Sequence, residues 1–241
     1  IKNINFPPTL KKIGMLAFGI CSKMNEVTIP ENVTDLGDFA FYNCTGLEKA
    51  IIKANISELK RYMFSRCTAL KEVSLPSTIE FIRTCSFGSC AAMKNIKLPD
   101  NLKGIEAEAF NGCETLSEIT LPASLEQIGM YTFDGCKQLK CITCLRDTPL
   151  KGAAMGAGVF ENVDKIACEL KVPKGHRNEY AEAEQWGDFT RISEHDLSGI
   201  STIMSQDSNT QTTIFTINGQ RLPNNTQPSH GIYIINGKKV C

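Results

Sequence analysis

The sequence predicts a repeat solenoid of 23-residue units, each pairing a short parallel strand with a short helical turn, closed by a helical C-terminal cap and followed by a small β module. Three observations predict it. Phe18, Phe41, Phe64, Phe87, Phe110 and Phe133 recur at a fixed interval of 23 residues. A cysteine stands three residues after each: Cys21, Cys44, Cys67, Cys90, Cys113 and Cys136. Each unit then carries an apolar pair, from Val27 and Ile29 to Ile142 and Cys144, before a turn that holds Pro30, Pro76, Pro99 or Pro122, with Lys53 in the slot once. Self-similarity at such a period is the mark of a stacked-repeat architecture.

Each element has a local cause. In Leu116-Ser-Glu-Ile119-Thr-Leu121 the last apolar residues alternate, the period of a strand with one buried face. Proline cannot donate a ladder hydrogen bond, so it ends the strand and turns the chain. The stretch from Glu108 to Cys113 lacks alternation and suits a short helical turn with Phe110 and Cys113 pointing inward. One unit cannot bury such a face alone, whereas stacked units can, each touching mainly its neighbours. The repeated cysteines fit this core as small hydrophobes, which is how buried free thiols behave.

The register shifts after the sixth unit. Phe160 follows Phe133 by 27 residues, which places an insertion within 145–159, a loop that holds Gly152, Gly156 and Gly158. Ile166, Cys168, Leu170 and Val172 alternate as a last strand. Residues 173–189 predict a capping helix with Tyr180, Trp186 and Phe189, since the open end of a solenoid needs cover. Residues 193–211 are rich in Ser, Asp, Asn and Gln and read as a linker. In 212–241, Asn218-Gly219 and Asn236-Gly237 each follow an apolar run, a strong hairpin signal. The predicted organisation is thus a capped solenoid over 1–192, a linker over 193–211 and a small β-hairpin tail over 212–241.

The pattern L-P-x-x-L-x-x-I-G-x-x-A-F-x-x-C-x-x-L-x-x-I, best seen from Leu121 to Ile142, resembles the BspA-type leucine-rich repeat of bacterial surface proteins. The resemblance covers about residues 1–173. It implies a leucine-rich-repeat fold, secretion or surface attachment and, in some members, adhesion to host matrix or plasma proteins. It implies no enzyme. The tail, I-N-G-Q-R-L followed by G-I-Y-I-I-N-G-K-K-V, is similar to the C-terminal tails of exported proteins of the same bacterial group. In some relatives those tails serve sorting or anchoring; here a role in sorting and a purely structural one both stay open.

Composition excludes other classes. The 26 basic and 26 acidic residues cancel, which argues against a nucleic-acid partner. No apolar run approaches the roughly 18–20 residues of a membrane helix. Ile1-Lys2-Asn3-Ile4 is no signal segment and reads as the interior of a longer sequence. No catalytic, cofactor-binding or metal-binding residue is predicted. Cys141-Ile-Thr-Cys144 has the spacing of a metal or redox pair, but alternation sends its thiols to opposite faces. His176, His195 and His230 are scattered and pair with no nucleophile at a meaningful spacing.

A partner is therefore expected on the outward strand positions. The candidate contacts are Lys49, Lys71, Glu72, Lys94, Lys97 and Glu118, on a face of mixed charge without aromatics. Two functions fit: a surface or secreted binding protein that takes a protein ligand, and a structural spacer that has no ligand of its own.

Overall fold

The computed structural model describes residues 4–196 and, beyond them, the backbone of three short antiparallel-paired strands, Ile214–Thr216, Tyr233–Ile235 and Lys238–Val240. The rest of the expected linker and tail, both Asn-Gly turns included, lies outside the described residues. The larger of two compact units runs to Glu194.

That unit is a solenoid of about eight turns, each of roughly 23 residues. A first series of strands comprises Glu26–Ile29, Lys49–Ile52, Glu72–Ser74, Glu118–Leu121, Cys141–Cys144, Glu169–Pro173 and Arg191–His195. The second is shorter: Lys12–Ile13, Asp35–Leu36, Glu58–Leu59, Phe81–Ile82, Gly104–Ile105 and Gln127–Ile128. Pairing is parallel and in repeat register, so Val27 lies against Ala50 and Ala50 against Val73. Alternation decides burial as the pattern requires: in Glu118–Leu121 the second and fourth residues are buried and the others exposed.

The turn side holds the core in line. The rings of Phe18, Phe41, Phe64, Phe87, Phe110, Phe133 and Phe160 stack at centroid spacings of 5.4–5.9 Å and within 13° of parallel. The cysteines do more than fill space beside them. The thiols of Cys44, Cys67, Cys90, Cys113 and Cys136 donate to the carbonyls of Phe18, Phe41, Phe64, Phe87 and Phe110 at 3.0–3.3 Å. Each carbonyl belongs to the preceding turn, so every thiol ties two units together. None of the ten described cysteines is joined in a disulfide.

Three local expectations need correction. The segments expected to be short helical turns are chains of tight turns, such as Asn111 N–H to Glu108 O at 3.1 Å and Cys113 N–H to Phe110 O at 3.1 Å. Two residues per turn take a left-handed backbone, which breaks any helix. One column is Leu16, Phe39, Tyr62, Cys85, Glu108 and Tyr131; the other is Ile20, Asn43, Arg66, Ser89, Gly112 and Gly135. Left-handed backbone is unfavourable for L-residues other than glycine, and the next turn compensates by accepting their N–H groups, as Met130 O does for Glu108.

The cap is the second correction. Its helix spans only Arg177–Ala181, not 173–189, and Trp186 and Phe189 lie in the turns after it. They close the core nonetheless, both rings meeting Phe160 edge-on at 5.0 and 5.2 Å. Trp186 Nε1 donates to Leu150 O at 3.0 Å, and Tyr180 Oη to Arg146 O at 2.7 Å, so the cap also holds the inserted loop. Third, the last expected strand starts later: Ile166 is 73% exposed and the strand begins at Glu169. Strand Arg191–His195 carries the sheet past 192, into the first residues expected to be linker.

Candidate interaction face

The outward strand positions form columns along the solenoid, each residue facing its equivalents in the turns before and after. Where a column alternates in sign, adjacent turns pair. Lys49 Nζ meets Glu72 at 2.8 Å and Lys71 Nζ meets Glu48 at 2.9 Å. The same rule joins Lys12 to Asp35, Lys103 to Glu80 and Lys137 to Glu114 at 2.7–3.0 Å. Lys49 is accordingly held above the ordinary lysine value and Glu72 below the ordinary glutamate value, first by their mutual hydrogen bond.

The six sequence-predicted residues therefore divide into two sets. Lys49, Lys71 and Glu72 are neutralised by neighbouring turns. Lys94, Lys97 and Glu118 are exposed, and among the described residues none of their side chains makes an ion pair. Their columns explain it. Lys94 lies between Lys71 and Ser117, Lys97 between Ser74 and Thr120, and Glu118 between Asn95 and Cys141.

The same place interrupts the sheet. The first series has no strand between Glu72–Ser74 and Glu118–Leu121, so residues 94–98 run between two separate sheets. Among the described residues, the N–H groups of Asn95, Ile96, Lys97 and Leu98 have no backbone partner. The proline column removes one bond on each side of this segment, although Pro76 removes the same bond beside Glu72–Ser74, which stays paired with Lys49–Ile52. Lys53 N–H donates to Ile29 O and Leu145 N–H to Leu121 O, both at 2.9 Å, closing the strand end against the preceding turn. Pro76, Pro99 and Pro122 occupy the same position and have no N–H to donate. Residues 94–98 thus lose this bond on both sides, from Pro99 towards Leu75 and from Pro122 towards Leu98. A groove of about 330 Å³ opens there, lined by Asn95, Lys97, Asp100, Glu118, Thr120, Pro122 and Leu145.

A second cluster was not foreseen from the sequence. Gly37, Gly129 and Gly156 occupy a column where an added Cβ would lie 2.2 Å from backbone of the preceding turn. The middle turns carry Lys60, Arg83 and Glu106 there. The Arg83 guanidinium bonds Glu58 at 2.6 Å and Glu106 at 2.7 Å, and Lys60 also bonds Glu58. Glu106 accepts the N–H and hydroxyl of Thr84 as well, at 2.9 and 2.8 Å. Burial pushes both carboxyls up, but these hydrogen bonds outweigh it and hold Glu58 and Glu106 below the ordinary glutamate value. With its partners supplied internally, the cluster ties three turns together. The gap in the glycine column was the signal that could have revealed it.

The C-x-x-C pair is split as alternation requires, Cys144 buried at 2% exposure and Cys141 half-exposed. His176 lies at the start of the cap helix, where its hydrogen bond to Glu179 raises its pKa.

Sequence and structure comparisons agree with this architecture. The family model for the BspA type leucine rich repeat region matches residues 1–91 and 69–178, with six copies. A leucine-rich repeat protein from Eubacterium ventriosum is 32% identical, with a TM-score of 0.54 over 56% of this chain and 37% of that one. The T. pallidum leucine-rich repeat protein is 27% identical, with a TM-score of 0.50 over 55% of this chain and 62% of that one. The chain thus spans less than two thirds of either structure. No curated protein matches it significantly.

Proposed function

Because the chain belongs to the BspA-type leucine-rich-repeat family, we propose that it is a surface or secreted binding protein whose outward strand face takes a protein ligand, in the manner of an adhesin for host matrix or plasma proteins. The observation that carries this reading is the coincidence of Lys94, Lys97 and Glu118, free of ion pairs, with the interruption of the sheet. Along the same face Lys49 pairs with Glu72 and Lys71 with Glu48, and a self-neutralised stretch of surface has little left with which to select a partner. Exposed charges steer association and are screened over about 8–10 Å at physiological salt.

The test is a binding screen against purified matrix and plasma proteins, followed by the Lys94→Glu/Lys97→Glu double variant on any partner found. Association should weaken at least tenfold and fall with added salt, while thermal unfolding stays within a degree or two of the parent. Undiminished binding by the double variant would move the site off this face.

A second reading, a spacer that holds other domains away from the cell, is favoured by one feature. The outward strand positions carry no Trp, Tyr or Arg between Asn25 and Thr143, the residue types that dominate binding hot spots. A screen that yields no partner for the full-length protein would support that reading.

A further inference from the structure

We propose that the turn side of three successive units, at residues 15–20, 38–43 and 61–66, is a second binding surface. It takes an acidic segment of a partner protein that also carries apolar anchors. The inference is independent of the reading of the outward strand face.

Exposed apolar residues gather there. Among the described residues Met15, Leu16 and Ile20 are 72%, 49% and 63% exposed, three of the six large hydrophobic side chains that face solvent. In the next two turns Phe39, Tyr42 and Tyr62 stand half-buried, while Arg61 and Arg66 are exposed. The Leu16 N–H donates to Asp38 O at 3.0 Å and the Phe39 N–H to Arg61 O at 2.9 Å, so the three turns form one surface. Aromatic residues, Met and Arg are enriched at protein interfaces, and Tyr and Arg dominate their hot spots. A cluster of exposed apolar side chains with this composition is the mark of an interaction site.

The backbone argues that these side chains are not there for the fold. Leu16, Phe39 and Tyr62 share one left-handed column, with φ of 57°, 59° and 55°, and Ile20 and Arg66 lie in the other, both at 62°. Glycine adopts this conformation without cost, and the repeat accepts it: Gly158 occupies the first column in a later turn, Gly112 and Gly135 the second. Bulky residues are therefore kept here at a conformational cost, and strain of this kind gathers at functional sites. The hydrogen bonds between turns hold the surface in place, which lowers the ordering cost of binding.

Ring geometry and charge select the occupant. The Phe39 and Tyr62 rings stack at 4.6 Å and within 3° of parallel, and Tyr42 meets Phe39 edge-on at 5.7 Å. Leu16 and Cys85 are the next residues of that column on either side, so it turns ring edges to solvent and keeps the faces covered. Ring edges carry the positive part of the aromatic quadrupole. The Arg66 guanidinium lies 5.9 Å from the Tyr42 centroid, and among the described residues neither Arg61 nor Arg66 makes an ion pair. Asp38 beside them is engaged by the Arg61 N–H at 3.0 Å. Ring edges and guanidinium groups together call for carboxylates, and Met15, Leu16 and Ile20 call for apolar side chains next to them. A sugar would need an open ring face. A protein segment that combines acidic and apolar residues meets both demands.

The experiment titrates the full chain, isotope-labelled, with three capped peptides of equal length while amide and methyl shifts are followed. The first alternates glutamate and leucine pairs; the second has glutamine for glutamate, the third alanine for leucine. The first should shift Leu16, Ile20, Phe39 and Tyr62 with saturation, and the other two should bind at least tenfold more weakly. Arg61→Gln/Arg66→Gln should weaken the first peptide at least tenfold, with thermal unfolding within a degree or two of the parent. Tyr62→Gly, which suits the left-handed backbone, should weaken it as much; if that variant does not fold, the arginine variant and the glutamine peptide carry the test. Equal binding of the glutamine or alanine peptide, or no shift in these residues at millimolar peptide, overturns the proposal. So does arginine-dependent binding of dextran sulfate without binding of the peptide, which would make the partner an acidic polysaccharide. Shifts of the same residues that grow with protein concentration alone, and that the first peptide does not compete away, would make the occupant a second copy of the chain and overturn it too.

Discussion

The turn side and the strand side of this solenoid are built from the same 23-residue units, yet one is continuous and the other is broken in the middle. On the turn side, seven Phe rings stack without a gap and thiols bridge each turn to the one before. On the strand side, the hydrogen-bonded ladder parts at residues 94–98 although the apolar pair Ile96 and Leu98 keeps its register. Side-chain columns tolerate drift in the backbone because ring contacts and thiol donors have slack of a few tenths of an ångström. A backbone ladder has less slack, and it parts where prolines remove a donor on both sides, at Pro99 and Pro122, whereas it holds beside Pro76 alone.

That difference makes the turn side the dominant source of stability, and its largest test is Phe110→Ala. The ring is fully buried between Phe87 and Phe133 at 5.4 and 5.6 Å, so no neighbour can collapse into the cavity without breaking the column. Denaturant unfolding should show a loss of about 3–5 kcal/mol. Leu98→Ala, at the interruption, should cost less, about 2 kcal/mol, because the open strand end lets the site relax. An equal loss at both positions would mean that the strand side is as tightly constrained as the turn side.

The thiol column is the next term. Cys113→Ala removes the S–H donor to Phe87 O, although that carbonyl keeps the N–H of Cys90 at 3.1 Å. The hydrogen bond and the small cavity together should cost roughly 1–2 kcal/mol. Reactivity separates the two sides directly. Burial pushes the Cys113 and Cys144 thiols up to about 12, which leaves almost no thiolate near neutral pH. In the native protein an alkylating reagent should modify half-exposed Cys141 quickly and leave Cys113 and Cys144 unmodified until unfolding. Rapid native-state labelling of Cys113 would show that the column opens.

Much of this was legible in the sequence. The 23-residue interval of Phe18 to Phe133 fixed the repeat phase, and the alternation of Ile119 and Leu121 fixed which strand residues are inside. The outward set was legible too, but not its division into paired and unpaired charges. That division depends on what stands 23 residues away, which for Lys49 is Glu72 and for Lys94 is Lys71 or Ser117. The helical turns and the long cap helix were misread because composition alone does not show a left-handed backbone at residues such as Leu16, Phe39 or Tyr62. Only the second column, with Asn43, Gly112 and Gly135, carried the usual residue types. Proline was read as the strand's end within its own unit. Its effect on the preceding unit, the loss of a donor to Leu75 or Leu98, appears only once the stack is assembled.

The ion cluster on the second strand series should give a smaller effect with a defined pH dependence. Glu58 and Glu106 have folded pKa values below those of the unfolded chain. Their contribution is therefore fully present above the ordinary glutamate value of about 4.3 and is lost as pH falls through the lowered folded values. Thermal unfolding followed from pH 7 to pH 3 should show a decline below about pH 4.5 that is shallower in Glu106→Gln than in the parent. Parallel curves would mean that Arg83 contributes nothing through Glu106.

The smallest change in stability, and the sharpest test of the comparison, is Pro122→Leu. Leucine already occupies this column as Leu145, whose N–H donates to Leu121 O at 2.9 Å. At position 122 the restored N–H would face Leu98 O, the acceptor that Pro122 leaves without its bond. The new hydrogen bond should contribute about 0.5–1.5 kcal/mol. Against it stands the loss of proline's restraint on the unfolded chain, about 0.4–1 kcal/mol. The two nearly cancel, so the melting temperature should move by no more than a degree or two. Amide exchange should respond far more strongly, because closing the strand end draws residues 94–98 towards Glu118–Leu121 and lets their own N–H groups pair. Protection of Ile96 and Leu98 should rise at least tenfold, and the groove between Lys97 and Glu118 should narrow. If exchange at these residues is unchanged, proline is not what parts the ladder. The cause would then lie on the other side of the segment, where Lys94 and Asn95 fail to donate to Lys71 O as Lys71 and Glu72 do to Glu48 O.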